Sequence, residues 1–335
     1  MQAVLAKGGL SPDAKGAFFS AELPDPTPGS RDLLVRVAAV SVNPVDAKVH
    51  SRMAAGEEKI LGYDAVGTVA AVGAAVTGFA PGERVYYAGD VTRPGCDATL
   101  HLVDARIAAK APQTLDDAAA AAMPLTSLTA YEALFDRLGL VDAAGANAGR
   151  DVLIIGGAGG VGSIAIQLAA WSGARVVATA SRPESAAWCR EHGAQLVLDH
   201  GRDMPTALAA AGIAAVPAIF CTTHMETHWK AMAAMLAPQG AVCLIDDPSG
   251  PLDITVFKSK CASIRWEFMF ARSLYRTADM ARQGEILARV AALLDSGVVR
   301  PTLATTRRGL DPAVFAAAHA AQLSGRMVGK QVVVF

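Results

Sequence analysis

A chain of 335 residues with a net charge of −1 has no basic field to gather nucleic acid or anionic lipid, so neither partner is expected. Hydrophobic residues make up 52%, much of it alanine, and only 6% are aromatic, a mix that suits a helix-rich α/β protein. Five scattered cysteines without a CxxC pair, and a start at Met1–Lys7 lacking a signal peptide's apolar stretch, point to a reducing, cytoplasmic setting.

The first third reads as β-rich. Strands are predicted at Leu33–Val40, Val66–Gly73 and Arg84–Tyr87, with glycine and proline at short spacing marking tight turns. Near residue 115 the texture changes. A helix is predicted from Asp116 to Met123, stopped by Pro124, and a second from Ser127 to Leu138. Short apolar runs then alternate with helices: strand Val152–Ile155, helix Ser163–Trp171, strand Arg175–Ala180, helix Glu184–His192, strands Leu196–Asp199 and Ala218–Cys221, helix His228–Leu236, strand Ala241–Ile245. That alternation predicts a parallel sheet wrapped by helices. A helix near Ala278–Leu294 and a strand at Gln331–Phe335 follow. The uncharged window Val152–Ala174 is long enough to cross a bilayer. Five of its six glycines, bunched between a strand-type and a helix-type run, favour a strand–turn–helix instead.

The turn in that window is Gly156-Gly157-Ala158-Gly159-Gly160-Val161-Gly162, in which Gly157, Gly159 and Gly162 satisfy GxGxxG. One glycine permits the tight turn, one lets the backbone approach a pyrophosphate, and one lets helix and strand pack closely. Such glycines alone often mark an ordinary turn. Here strand, helix and next strand all stand where a βαβ unit requires them, which makes the run, with Gly160 and Val161, a phosphate cradle. An NAD site places Asp or Glu about 20 residues on; this chain has Ser181-Arg182. A hydroxyl and a guanidinium suit the 2′-phosphate of NADPH, although both residues could simply cap the helix that follows. Thr222 ends the strand Ala218–Cys221, where the crevice outside a parallel sheet is expected.

These motifs, with Ser41-Val42-Asn43-Pro44-Val45-Asp46, Leu61-Gly62-Tyr63-Asp64-Ala65-Val66-Gly67, Val85–Asp90, Pro124–Ala130 and Trp266–Phe270, resemble the medium-chain dehydrogenase/reductases, quinone oxidoreductase-like branch. The resemblance runs the length of the chain. It implies an α/β fold: a GroES-like β-rich catalytic domain from 1–126 and 268–335, and a Rossmann doubly wound parallel sheet over 127–267. It also implies a homodimer. Asn43 and Thr129 resemble residues that touch the nicotinamide end, and His200 a position beside the adenosine. Zinc-dependent relatives hold their metal at positions that resemble Asn43, Tyr63-Asp64 and Leu125 here. Leucine cannot ligate, so no metal is expected.

Without zinc, hydrogen-bond donors must stabilise the charge that grows on a carbonyl oxygen. Asn43 and Tyr63 are the candidates, with Tyr63 equally readable as packing. Phe268 and Phe270 could wall a substrate pocket, and Lys330 could reach the cofactor phosphates or be a solvated charge. The expected function is NADPH-dependent, zinc-independent reduction of quinones or α,β-unsaturated carbonyls. A zinc-dependent alcohol dehydrogenase and a redox-sensing or structural NADPH-binding protein stand as alternatives.

Overall fold

The computed structural model describes residues 1–335, and the chain forms two compact units. Unit 1 is Met1–Leu128 with Phe270–Phe335, and unit 2 is Thr129–Met269. The expected boundaries lie two residues earlier at each crossing.

Unit 1 begins with β1 (Gln2–Lys7), β2 (Phe18–Glu22), β3 (Asp32–Ser41), α1 (Pro44–Arg52), β4 (Glu58–Ile60), β5 (Ala65–Val72), β6 (Arg84–Tyr87), β7 (Leu100–Asp104), β8 (Ala108–Lys110) and α2 (Asp117–Ala121). Helix α3 (Pro124–Tyr131) contains the boundary. α2 ends at Ala121, short of the expected Met123, and Pro124 opens α3, where its missing N–H is not needed. Unit 2 holds β9 (Asp151–Ile155), α4 (Gly160–Trp171), β10 (Arg175–Thr179), α5 (Pro183–Glu191), β11 (Leu196–Leu198), α6 (Met204–Ala210), β12 (Val216–Cys221), α7 (Met225–Met235), β13 (Leu236–Leu244) and β14 (Ser263–Trp266). The chain then returns to unit 1 with α8 (Ala271–Leu274), α9 (Arg282–Asp295), β15 (Leu303–Arg308), α10 (Pro312–Leu323) and β16 (Lys330–Val334).

Unit 2 is one parallel sheet in the order β11-β10-β9-β12-β13-β14. The order reverses between β9 and β12, as in doubly wound dinucleotide folds. Both faces of the sheet are covered, so β9 and β12 are buried at nearly every position. Leu153, Ile155, Ile219, Trp229 and Phe257 belong to its core. The uncharged window is β9, the turn and α4; no helix is long and apolar enough to cross a membrane.

Unit 1 has a small sheet, β2-β1-β4, and a larger one, β15-β16-β3-β5-β6-β8, with β7 also paired to β3. Leu33, Val35 and Val37 alternate along β3 into a core shared with Val85, Tyr87 and Phe315. The order β16-β3-β5 sets the site, because the ends of these three strands converge.

Helix α10 carries an unusual core residue. His319 is fully buried against the rings of Phe18 and His50, at 4.7 and 6.1 Å between centroids, and both its ring nitrogens lack a hydrogen-bond partner. Burial lowers its pKa from 6.5 to about 3, with His50 adding to the effect. The unfolded chain therefore takes the proton first, so stability falls as pH drops from 6.5 towards about 3. Between pH 7.5 and 5 the wild type should lose about 2 kcal/mol more than His319→Leu in urea unfolding. Parallel pH curves for the two proteins would clear His319 of that role.

Candidate active site

In unit 2, β9 runs into the glycine turn. Gly156 sits at φ +82°, and its N–H donates to Thr179 Oγ1 at 3.0 Å. A Cβ on Gly157 would meet Ala178 Cβ and Cys189 Sγ at 2.9 Å, and one on Gly162 would meet the Gly156 carbonyl oxygen at 2.2 Å. Gly162 thus lets α4 start close against the turn, and Gly157 leaves room for β10 and α5. Gly159 differs: its N-cap backbone suits any residue, and a Cβ there would have only the Gly156 oxygen near it, at 3.6 Å. No side chain caps α4, so the first N–H groups at its positive end await an acceptor. An anionic pyrophosphate fits that cradle.

The strand ends around it carry the other predicted contacts. Thr222 follows β12, and its hydroxyl donates to the Ile155 carbonyl at 2.8 Å, beside the turn. Ser181 is exposed after β10. The N-cap of α5 is Arg182, without a side-chain cap bond, so capping does not explain this pair. His200 follows β11, packed against His228 at 5.9 Å, and its buried Nδ1 has no partner. Thr129 is buried in α3.

Unit 1 holds a second polar cluster, and the strand register builds it. Val332 of β16 stands opposite Ser41 of β3; two residues further, the same register sets Lys330 opposite Asn43. Val40 of β3 stands opposite Ala65 of β5, and the Ser41 N–H continues the ladder to the Asp64 carbonyl at 3.0 Å. Lys330, Asn43 and Asp64 thus meet at three adjacent strand ends. The Lys330 ammonium donates to Asn43 Oδ1 and, at 3.0 Å, to Asp64 Oδ2. Asn43 Nδ2 donates to Asp64 Oδ2 at 3.0 Å and to the Ser41 carbonyl at 3.1 Å. Asp64 Oδ1 accepts from the Leu125 N–H at 2.8 Å.

Asn43 also begins α1, with Pro44 at its first position. Asp46 reaches back to accept from the Asn43 N–H at 2.6 Å and from the Gly62 N–H at 3.1 Å. Burial raises the Asp46 pKa to about 7, against the pull of these amides and of Lys330. Burial also raises Asp64, while Lys330, Asn43 and Leu125 oppose it. Three donors and no acceptor suit the Asp64 carboxylate. Asp97 has a buried Oδ1 without a partner, and burial pushes it well above the carboxylate range. Tyr63 packs edge-on to Phe270 at 5.6 Å, and burial, then Asp46, raises its pKa, so it keeps its proton.

Several expectations change. Lys330 is neither a solvated charge nor a grip on phosphate, because it is 4% exposed and committed to Asn43 and Asp64. Both amide hydrogens of Asn43 are used within the protein, so it offers no donor to a carbonyl oxygen. Phe270 is buried whereas Phe268 is 48% exposed, so the two do not share one wall. Asp97 has no signal in the sequence, because an acid next to Cys96 belongs to no motif.

Zinc does not fit these residues. Leu125 has no donor atom, both Asp64 oxygens are engaged, and an ammonium holds the Asn43 oxygen. No three His, Cys, Asp or Glu side chains are arranged to hold a metal.

Residues 29–112 match the family described as alcohol dehydrogenase GroES-like domain, and residues 160–283 the family described as zinc-binding dehydrogenase. A zinc-type alcohol dehydrogenase-like protein of Staphylococcus aureus is 40% identical over 92% of each chain. A solved Rhizobium etli structure, provisionally described as a zinc-dependent alcohol dehydrogenase, shares 46% identity, covers 100% of this chain and 98% of its own, and has a TM-score of 0.94. A mycobacterial structure complexed with NADPH shares 26% identity over 100% of both chains, with a TM-score of 0.84.

The glycine geometry separates folding from binding. Gly159→Ala should melt within about 2 °C of the wild type, as a small surface-compatible change, yet bind a nicotinamide dinucleotide at least about tenfold more weakly. Gly162→Ala should lose both stability and binding. Unchanged affinity of Gly159→Ala in a fluorescence titration would remove the cradle assignment.

Proposed function

Because the chain belongs to the medium-chain dehydrogenase/reductase superfamily of oxidoreductases, we propose that it is an NADPH-dependent, zinc-independent reductase of quinones or α,β-unsaturated carbonyl compounds. The observation that carries this reading is the pair Ser181 and Arg182 at the end of β10, beside an uncapped helix and in place of the acid of an NAD site. A guanidinium there suits a 2′-phosphate. The NADPH complex of the mycobacterial neighbour supports the cofactor.

A bound nicotinamide would supply the hydride. Gly160, Val161 and Gly162 would hold its pyrophosphate through backbone N–H groups, Thr222 would flank it at the end of the neighbouring β12, and His200, after β11, would stand on the adenosine side. In unit 1, Tyr63 is the donor for a carbonyl oxygen: its hydroxyl stays protonated, and Phe270 fixes its ring. Asn43 has no hydrogen left to give and serves to orient Asp64. We also read the chain as a cytoplasmic homodimer. The outer edge of β14, with Trp266 54% exposed, is a strand edge that a second copy could extend.

The purified protein should oxidise NADPH faster than NADH with members of a quinone and enone panel. Arg182→Ala should weaken NADPH by about tenfold or more and leave NADH nearly unchanged. Equal losses for both would refute the phosphate assignment, and stoichiometric zinc would favour the alcohol dehydrogenase that its relatives' names describe. Binding without turnover on the whole panel would make it a sensor. Sedimentation at monomer mass would overturn the dimer.

A further inference from the structure

Of the 30 lysines and arginines in the chain, Lys330 alone is buried. Burying an ammonium is unfavourable unless a counter-charge and hydrogen bonds meet it. Here they do, and the partners are telling. Asn43 and Asp64 stand at two of the positions that resemble metal-facing positions in zinc-dependent relatives, and Leu125, at a third, closes the group through its N–H. The residues that refuse a metal converge on a different cation. We propose that the Lys330 ammonium is the resident cation of this site: a positioning residue that fixes Asn43 and Asp64 and biases the site towards negative charge on a bound oxygen.

The proposal rests on the reductase reading for the reaction it serves. Hydride addition to the β-carbon of an enone forms a C–H bond and breaks the C=C π bond. The displaced electron pair moves to the carbonyl oxygen as an enolate, and a proton from water completes the saturated carbonyl, while the dinucleotide is oxidised. Paired with Asp64 the ammonium carries no net charge into the site, but it is the positive end of a fixed dipole, and a fixed dipole in a water-poor site favours the enolate without reorganising. Lys330 acts on that oxygen through its field and through the groups it holds; Tyr63 remains the proposed contact. An ammonium on a strand cannot be chelated away, so the site would need no metal supply.

The test uses the full chain with oxidised dinucleotide bound, and 4-nitrophenol as an oxyanion probe read by its absorbance. Lys330→Met leaves Asp64 buried without its counter-charge, so the neutral pair Lys330→Met/Asp64→Asn serves as the variant compared. The wild type should lower the probe's apparent pKa by roughly one unit or more relative to the neutral pair. With NADPH and an accepted enone, the neutral pair should lose about a hundredfold in kcat, with KM for NADPH little changed. A probe pKa that is unmoved on the wild type, or moved equally on both proteins, overturns the proposal, as does an equal kcat. A lowered probe pKa on a wild type that reduces nothing sinks the reductase reading and leaves the resident cation standing.

Discussion

Three buried carboxyls, those of Asp46, Asp64 and Asp97, lie in unit 1 with one buried ammonium. A carboxylate in a dry interior needs a cation or several donors, and there is not enough of either to go round. Asp64 takes the ammonium, two side-chain donors in all and a backbone N–H. Asp46 makes do with two amides and drifts to about pH 7. Asp97, with an oxygen left unpartnered, is pushed by burial well above the usual carboxylate range. The remaining chemistry of the unit follows from that ranking. Asn43 turns inward to serve Asp64, Tyr63 is held as a neutral phenol among acids, and the Cys96 thiol is pushed well up by burial and by Asp97.

Unit 2 is governed by steric rather than electrostatic limits. Its sheet order places the ends of β9 and β12 side by side at the reversal, and the turn between β9 and α4 is too tight for any side chain at Gly157 or Gly162. What it leaves open is a row of unsatisfied N–H groups. Unit 2 presents positive backbone dipoles to an anion, and unit 1 buries a charge network.

Much of unit 2 was readable in advance. Strands β9, β10 and β12 are continuous apolar runs because both faces of their sheet are covered, and such runs stand out between helical segments. β14 escaped notice, since Ser263-Ile264-Arg265-Trp266 is a partly exposed edge that mixes charge with apolar groups. α10 escaped too, although Asp311 caps it through the Ala313 N–H and Pro312 occupies its first position. At the site, Asn43, Asp64 and Lys330 each drew attention singly. Their contact did not, because Lys330 lies 266 residues from Asp64 and only strand register brings them together. A lysine before a short strand ordinarily reads as solvated, as lysines are almost never fully buried unless paired.

The register of β16 has a consequence for the order in which the protein is made. Thr129–Met269 is unbroken, so unit 2 requires nothing synthesised after it. Unit 1 is different: Asn43 and Asp64 leave the ribosome 287 and 266 residues before the lysine they pair with. Until β16 slots in between β15 and β3, the Asp64 carboxylate has no internal counter-charge and is better hydrated than buried. Asp64 therefore gains its counter-charge only after the whole of unit 2 has been synthesised. Insertion of the charged strand is what dries the site, so an enzyme assembled without it would be incomplete in its chemistry as well as in its fold.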